Sequence, residues 1–176
     1  MKKFELTAEF VTNVFGKKLF RIKALVAFGN VEKGELGGFI EKEDNLSHDG
    51  DAWVSGNARV CGNAQVSGNA WVSGNAQVYG NAQVFGNAQV FGNADYAVVA
   101  GFGRYFRTTT FFRCKDKILR VQCGCFYGDL AQFREIVKKT HGDSKYAKEY
   151  LAIADLMELH FSDKCGGEQM NDGKIY

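Results

Sequence analysis

The sequence has 176 residues, of which 45% are hydrophobic, and 22 Lys and Arg residues against 20 Asp and Glu residues give a formal net charge of +2. This composition indicates a soluble protein with one repeat body and two small flanking parts, and no apolar run is long enough to cross a membrane. MKKFELTAEF lacks the apolar core of a signal peptide, and the five cysteines form no paired framework. We therefore expect a cytoplasmic protein.

The first part of the chain, residues 1–32, predicts a β-hairpin. FELTAEF and KLFRIKALVAF flank a turn near Asn13 to Lys17. In the second segment Phe20, Ile22 and Ala24 alternate with Leu19, Arg21 and Lys23, as in a strand. A short repeat body cannot leave its ends bare, because an open end exposes apolar side chains and unpaired strand backbone. We therefore interpret this hairpin as an N-terminal cap.

A strict six-residue repeat follows within residues 33–97. A period of six fits neither a helix nor a single strand, and it predicts a solenoid in which each hexad supplies one short strand and one corner. Ala and Val two residues apart point to the same face, and the intervening Gly-Asn pair adopts positive φ readily. Three hexads would form a triangular coil of about 18 residues. The inward positions are Val54, Val60, Val66, Val72, Val78, Val84, Val90 and Tyr96, each preceded two residues earlier by Ala52, Ala58, Ala64, Ala70, Ala76, Ala82, Ala88 or Ala94.

The hexads resemble those of the hexapeptide-repeat family. The segments that carry the resemblance are VSGNAR, VCGNAQ, VSGNAW, VSGNAQ, VYGNAQ, VFGNAQ and VFGNAD. The resemblance implies a left-handed parallel β-helix. Ile40 and Leu46 are six residues apart and fit a degenerate first coil, whereas eight residues separate Leu46 from Val54. We therefore expect two extra residues to bulge out near residues 47–49.

Residues 98–176 predict a C-terminal α+β domain. Thr108 to Cys114 and Ile118 to Phe126 read as two strands, and Asp129 is placed to cap a helix that ends near Thr140. A second helix is predicted from Ser144 to about Phe161, followed by a loose tail of about a dozen residues. The predicted fold class is thus mainly β: a short left-handed parallel β-helix with an N-terminal hairpin cap and a C-terminal domain of two strands and two helices.

The charges are unevenly distributed along the chain. Residues 1–23 hold six Lys and Arg residues against two acids, and residues 32–51 hold seven acids against two bases. This pattern suggests an acidic collar at one end of the prism and a basic hairpin at the other. Ordinary solvated faces and an anion-binding patch are both open interpretations of the later basic cluster. That cluster comprises Arg104, Arg107, Arg113, Lys115, Lys117 and Arg120.

Outward-facing aromatic residues also suggest an interface. The outward positions are mostly small in the early coils and aromatic in the last one, and exposed aromatics on several faces call for a covering surface. Either the C-terminal domain or neighbouring subunits would cover them. The hexapeptide-repeat resemblance implies homotrimers packed along the prism, which favours a trimer. The expected interface residues are Trp53, Trp71, Tyr79, Phe85 and Phe91.

The sequence provides little for catalysis. The resemblance implies acyltransferases that use a histidine in a loop projecting from the prism, but the hexads from Val54 to Val90 have no insertion. His48 is the histidine nearest the prism, and we interpret it as a solvated residue of the bulge. Cys114, Cys123 and Cys125 read as small buried residues of strands and not as zinc ligands. We predict no catalytic residue, no metal and no cofactor.

Two further motifs admit a binding interpretation. RTTTFFR, residues 107–113, alternates hydroxyls, aromatics and arginines, which fits either a groove for phosphates and bases or simply a strand with one polar face. The lone Gly101-Phe102-Gly103 is too short to define a phosphate-binding loop.

The whole layout resembles a group of small phage and prophage proteins. The resemblance is carried by RIKALVAFGNVEKGELGGFIEKEDNLSHDGDAWVSGNA and by TTTFFRCKDKILRVQCGCFYGDLAQFREIVKKTHGDSKYAKEYLAIADLM. It implies a phage accessory protein in the cytoplasm of a host bacterial cell. The preferred hypothesis is a non-enzymatic, host-interfering binding protein, which would inhibit a defence protein or sequester an anionic ligand such as a nucleotide signal or nucleic acid. A virion component and a hexapeptide-repeat acyltransferase are the alternatives.

Overall fold

The structure is a computed structural model that describes residues 1–162. The loose tail predicted for the last dozen residues lies outside the described residues. Of the two helices in residues 1–162, neither is long and apolar enough to span a membrane.

The N-terminal part contains the predicted hairpin. Strand β1, Phe4–Thr12, pairs antiparallel with β2, Lys18–Ala24, and β2 pairs antiparallel with β3, Leu36–Ile40. The hairpin is basic and lies beside the acidic segment, because Lys2 contacts Glu43 at 2.7 Å and Lys17 contacts Glu41 at 2.8 Å. The expectation that the two charged segments lie at opposite ends of the prism is therefore wrong. Their opposite charges instead pair at one end.

The central part is a β-solenoid of seven two-residue strands. Parallel pairing joins strands 18 residues apart, as in Trp53↔Trp71 and Gln89↔Trp71. Every Ala from Ala52 to Ala88 and every Val from Val54 to Val90 is fully buried at the predicted inward positions. The corner glycines have φ between 62° and 71°, which only glycine adopts at little cost. The strands are β4 Trp53–Val54, β5 Arg59–Val60, β6 Gln65–Val66, β7 Trp71–Val72, β8 Gln77–Val78, β9 Gln83–Val84 and β10 Gln89–Val90.

The predicted degenerate first coil is present. Ile40 pairs with Val60 and Leu46 pairs with Val66, so both offsets are 20 residues where later coils have 18. The two extra residues therefore lie between Leu46 and β4, as expected.

The eighth hexad departs from the prediction. Asn93–Asp95 form a 3₁₀ turn and Ala94 is exposed, so the repeat ends at Val90. The cause is local hydrogen bonding, because Asp95 Oδ2 accepts from the backbone N–H groups of Phe91 and Gly92, both at 3.0 Å. Tyr96 is nevertheless buried against the solenoid core.

Polar side chains satisfy backbone groups at the first coil. The Asn45 amide donates to two carbonyl oxygens of the next coil at 3.1 and 2.8 Å, and Asn45 is fully buried. Lys3 Nζ donates to the carbonyl oxygens of Gly50 and Ala52 at 3.1 and 2.9 Å. Burial lowers the pKa of Lys3 to about 8, although Asp51 raises it in part. These donors replace the neighbouring strand that an outermost coil lacks.

The C-terminal part contains four strands where two were predicted. β11 Tyr96–Phe102, β12 Arg107–Arg113, β13 Leu119–Cys123 and β14 Phe126–Asp129 form one antiparallel sheet in that order. The predicted strand from Ile118 to Phe126 is divided because Gly124 has φ of 60° and forms the turn between β13 and β14. The hexad pattern concealed β11, whose first residue is Tyr96.

This sheet lies between the solenoid and two helices. Phe112 packs into the solenoid core, whereas Phe111 packs against Phe133 of the first helix with ring centroids 6.1 Å apart. The Thr110 hydroxyl oxygen also accepts the backbone N–H of Gln83 in β9 at 3.0 Å. The helices are α1 Leu130–His141, whose first turn is capped by Asp129 as predicted, and α2 Lys145–Ser162.

Candidate functional site

The six basic residues predicted as one patch do not come together. Arg107 begins β12 and Arg113 ends it, so they are about 20 Å apart along an extended strand. Arg113 donates to the carbonyl oxygen of Phe161 at 2.6 Å, and its guanidinium lies 5.3 Å from the centroid of the Phe161 ring. Arg113 therefore fixes the last turn of α2 and has a structural role.

The other four basic residues lie in or beside two turns at opposite ends of the C-terminal sheet. Arg120 pairs with Asp116 at 2.7 Å, beside the exposed Lys115 and Lys117 in the turn between β12 and β13. Arg104 lies with Arg107 at the opposite end of the sheet. Within residues 1–162, neither Arg104 nor Arg107 has a carboxylate within 4.0 Å.

The turn between β11 and β12 presents aromatic rings beside these two arginines. We call residues 104–107 the hairpin tip. Tyr105 is 63% exposed and Phe106 is 75% exposed. The guanidinium carbons of Arg104 and Arg107 lie 5.6 and 5.1 Å from the centroid of the Tyr105 ring. Both distances permit a cation–π attraction, which orients the two positive charges around one aromatic ring.

The hairpin tip contains an unusual backbone conformation. Phe106 has φ of 51°, in the left-handed region that hairpin turns normally fill with Gly or Asn. A bulky residue in this region is strained, and such strain is often found at functional sites. The ring of Phe106 gains little burial in return, since most of it faces solvent.

A pocket of about 190 Å³ lies behind the hairpin tip. Its lining joins both arginines and Tyr105 to the end of α1 and the start of α2, and the lining residues within the described chain include no Asp or Glu. The aromatic lining comes from Phe126, Phe133 and Tyr150, together with the His141 ring, which stacks on Tyr150 with centroids 5.9 Å apart. The polar lining includes Thr140, Cys123 and Cys125.

Two glycines fix the walls of this pocket. Tyr150 lies against Gly103, and a side chain on Gly103 would collide with the Tyr150 hydroxyl. That hydroxyl donates to the carbonyl oxygen of Phe102 at 3.4 Å, and burial raises the pKa of Tyr150 to about 12. Tyr150 therefore stays protonated at neutral pH. Gly124 has the same relation to Arg107, whose guanidinium occupies the space that a Cβ on Gly124 would need.

The outward aromatic residues of the solenoid have different environments. The prediction that Trp53 faces a partner is wrong, because Trp53 is fully buried and its ring packs edge-on against Phe28 at 5.4 Å. Trp71, one coil further on, is partly exposed. Phe85 is 40% exposed and packs edge-on against Tyr127 at 5.3 Å, so the C-terminal sheet covers part of it.

Tyr79 and Phe91 are the outward aromatics with the largest exposed fractions, at 61% and 55%. Tyr79 borders a groove of about 600 Å³ that also contacts the exposed Val14 and Phe15 of the β1–β2 turn. Phe91 borders a separate groove of about 730 Å³ along the face that carries Trp71.

His48 has structural contacts. Its Nδ1 accepts the backbone N–H of Lys3 at 3.1 Å, and its ring stacks on Phe4 with centroids 4.3 Å apart. The expectation of a simply solvated histidine is therefore wrong, because the first residues of the chain pack against it. With Nδ1 accepting a hydrogen bond, the neutral ring carries its proton on Nε2.

The expected roles of β12 and of the cysteines also need correction. Thr109, Thr110, Phe111 and Phe112 are buried, so the RTTTFFR segment offers no groove for bases. Cys123 ends β13, whereas Cys125 is exposed in the following turn, so the two thiols are not buried on one strand face. Within residues 1–162, no three His, Cys, Asp or Glu side chains form a group that could hold a metal ion.

Sequence comparison agrees with the central architecture. Residues 64–80 and 76–90 match the model of a protein family described as YdcK beta solenoid repeat. No curated protein matches the sequence. The stacked parallel strands and this match together define the central part of the chain as a repeat β-solenoid.

Proposed function

We propose that this chain is a non-enzymatic accessory binding protein of phage or prophage origin, which interferes with its bacterial host by binding an acidic surface of a defence protein in the cytoplasm. The hairpin tip is the contact element. The observation that carries the proposal is the pair of arginines that have no carboxylate within 4.0 Å among residues 1–162 and lie beside the exposed Tyr105 and Phe106.

The composition of the hairpin tip supports binding to a protein. Arg and Tyr are among the residues that contribute most to protein interfaces, because they combine a large contact area with directional polar groups. Charged residues that already have a carboxylate partner gain less from a new one, whereas Arg104 and Arg107 have no such partner in the part of the chain that the structure describes. The strained φ of Phe106 is consistent with a side chain held outward for contact.

The structural roles of His48 support a protein without catalysis. A general base must reach the proton that it removes, but Nδ1 of His48 already accepts a backbone hydrogen bond. Its Nε2 lies 3.8 Å from a Glu43 oxygen in a surface cleft. These contacts support a role in holding the N-terminal segment on the first coil.

The proposal includes the finer architecture and a homotrimer. We assign the solenoid a left-handed sense, with the N-terminal hairpin and the C-terminal sheet as its caps. Trp71, Tyr79 and Phe91 would form the contacts between subunits, since large apolar groups exposed on two sides of the solenoid, Trp71 with Phe91 on one and Tyr79 on the other, favour association. Trp53 is excluded from this interface by its burial, and Phe85 contributes less because Tyr127 already contacts it.

Charge reversal at the hairpin tip tests the proposed contact. The affinity-tagged chain is produced in a phage-sensitive bacterium, and the proteins bound to it are identified and quantified by mass spectrometry. We expect Arg104→Glu/Arg107→Glu to reduce the bound partner by at least about ten-fold. Lys115→Glu/Lys117→Glu changes the same number of charges at the other end of β12 and is the matched control, which we expect to retain the partner.

A phage plating assay tests interference with the host. Production of the wild-type chain should raise plating of a phage that the host's defence restricts, and the variant at the hairpin tip should lose this effect. Equal plating by both proteins, or equal partner recovery, would contradict the proposal. Recovery of the chain in purified virions, without a host partner, would instead favour the virion-component alternative.

A further inference from the structure

Aromatic side chains make up much of the lining of the pocket behind the hairpin tip. Tyr150 contacts Phe133 edge to face at 5.8 Å and stacks on His141 with an interplanar angle of 30°, so these three rings form one packed aromatic cluster. Aromatic rings attract other planar rings through offset stacking and edge-to-face contacts. The polar atoms of Thr140 and Cys123 add hydrogen-bonding groups to the lining. This lining suits a planar heterocycle better than an aliphatic chain.

The volume of the pocket limits how much of a ligand it encloses. Pockets that enclose a whole drug-sized ligand span about 300–1,000 Å³, whereas this one measures about 190 Å³. It therefore holds one ring system and leaves the rest of the ligand at the mouth. Arg104, Tyr105 and Arg107 line the pocket where it meets the hairpin tip.

Electrostatics orient the two parts of such a ligand. The last turn of α1, with Thr140 and His141, borders the pocket, and the C-terminal end of a helix carries partial negative charge. That partial charge favours a ring with N–H donors, although Lys138 and Lys139 in the same turn offset it. The guanidinium groups of Arg104 and Arg107 have the planar donor geometry that binds phosphate oxygens in pairs.

We propose that this pocket binds a nucleotide, with its base against the aromatic lining and its phosphate held by Arg104 and Arg107. The nucleotide is either free or one residue of a single strand. The inference shares these two arginines with the proposed function and rests on it to that extent. The occupant differs, since a small ligand enters the pocket while a protein would contact the exposed hairpin tip.

Calorimetric titration of the full-length chain at low salt tests this site. The probes are AMP, GMP, CMP and UMP, with ribose 5-phosphate, the matching nucleosides and an unphosphorylated tetranucleotide as comparisons. We expect at least one mononucleotide to bind about ten-fold more tightly than its nucleoside or ribose 5-phosphate. A tetranucleotide that binds more tightly still would identify the source as a single strand, and a weaker one would identify the free nucleotide.

Two variants separate the phosphate contact from the base contact. Arg104→Gln/Arg107→Gln should weaken mononucleotide binding by about ten-fold or more and leave nucleoside binding unchanged, because only the phosphate contact is lost. Thr140→Trp should fill the pocket that Thr140 lines and abolish binding of nucleoside and nucleotide alike. Lys115→Gln/Lys117→Gln is the matched control and should leave each affinity within about two-fold.

The inference is overturned if none of the four mononucleotides binds with a Kd below about 1 mM, or if Thr140→Trp binds them as tightly as the wild type. Its failure is distinguishable from failure of the proposed function. If Arg104→Glu/Arg107→Glu loses the protein partner but the wild type binds no nucleotide, the nucleotide site is refuted and the proposed protein contact stands. If the wild type binds a nucleotide but retains no host protein, the proposed protein contact is refuted and the nucleotide site stands.

Discussion

The backbone at Phe106 gives the sharpest test of the hairpin tip. Two substitutions, Phe106→Ala and Phe106→Gly, both remove the exposed ring and differ only by the Cβ atom. A left-handed conformation costs a residue with a Cβ about 1–2 kcal/mol, whereas Gly costs about 0.5–1 kcal/mol through the entropy of the unfolded chain. Since φ of Phe106 is 51°, Phe106→Gly should be more stable than Phe106→Ala by about 0.5–1 kcal/mol.

Two further pairs of Gly and Ala substitutions serve as controls for the sign of this stability difference. Lys117 has φ of 63° in the turn between β12 and β13, so Lys117→Gly should also be more stable than Lys117→Ala. Lys23 is an exposed residue of β2 outside the left-handed region, and there Gly should be less stable than Ala by about 0.5–1 kcal/mol. At position 106, as at position 117, the Gly variant should therefore be more stable than the Ala variant, opposite to the order at position 23.

Urea unfolding followed by circular dichroism measures these differences through the shift of the midpoint. Hydrogen exchange of the β11 and β12 amides gives a second measurement, which remains valid if the C-terminal sheet opens before the solenoid. The reasoning fails if Phe106→Ala is as stable as Phe106→Gly while the two control pairs behave as expected. In that case the hairpin tip would store no backbone strain, and its support for a contact role would be lost.

Three further predictions concern the solenoid. Asn45→Ala should lower the free energy of unfolding by about 2–4 kcal/mol in urea, because two buried carbonyl groups lose their donor. The folded chain loses the Lys3 proton near pH 8 and the unfolded chain near pH 10.5. Because the unfolded chain then binds more protons, the stability of the wild type relative to Lys3→Met should rise between these two pH values. Urea unfolding at several pH values measures this difference. Phe91→Ser should dissociate the proposed trimer in native mass spectrometry, whereas Phe85→Ser should lower the melting temperature and leave the trimer intact.

The solenoid could be predicted because its signal is local and repeated. Each inward Ala and Val is determined by its place in the hexad, and all of them from Ala52 to Val90 are buried. Even the irregular first coil could be read from the eight-residue interval after Leu46. A periodic pattern needs no knowledge of distant contacts, so the sequence alone is sufficient for this part.

The hairpin tip was missed because its determinants lie outside the repeat. Ala94 and Tyr96 continue the hexad pattern, yet the Asp95 carboxylate accepts hydrogen bonds from the backbone N–H groups of Phe91 and Gly92, and the chain turns out of the solenoid into β11. The glycines at positions 101 and 103, with φ of 86° and 73°, were a turn signal that could have indicated a hairpin here. The tertiary position of Trp53 was equally inaccessible, since its repeat register says nothing about the N-terminal segment that covers it.

The basic cluster shows why charge density along a sequence is a poor guide to a surface. Arg107 and Arg113 are close in sequence, but an extended strand carries them to opposite ends of the sheet. Arg113 and Arg120 then use their charge on internal partners, which leaves Arg104 and Arg107 as the pair with an aromatic neighbour and no carboxylate within the described residues. A binding site is better indicated by charges that have no internal partner than by their number.

The connection between β12 and the solenoid supports the proposed role of the hairpin tip as a contact element. β12 is fixed to the last coil by Thr110, which accepts a hydrogen bond from Gln83, and by Phe112, which is buried in the solenoid core. On its other face, Phe111 packs against α1. The hairpin tip therefore continues a strand that is held on both faces, so little conformational entropy is lost when its side chains meet a ligand. A rigid solenoid without loops of its own can thus contribute to binding through the strand that it holds in place.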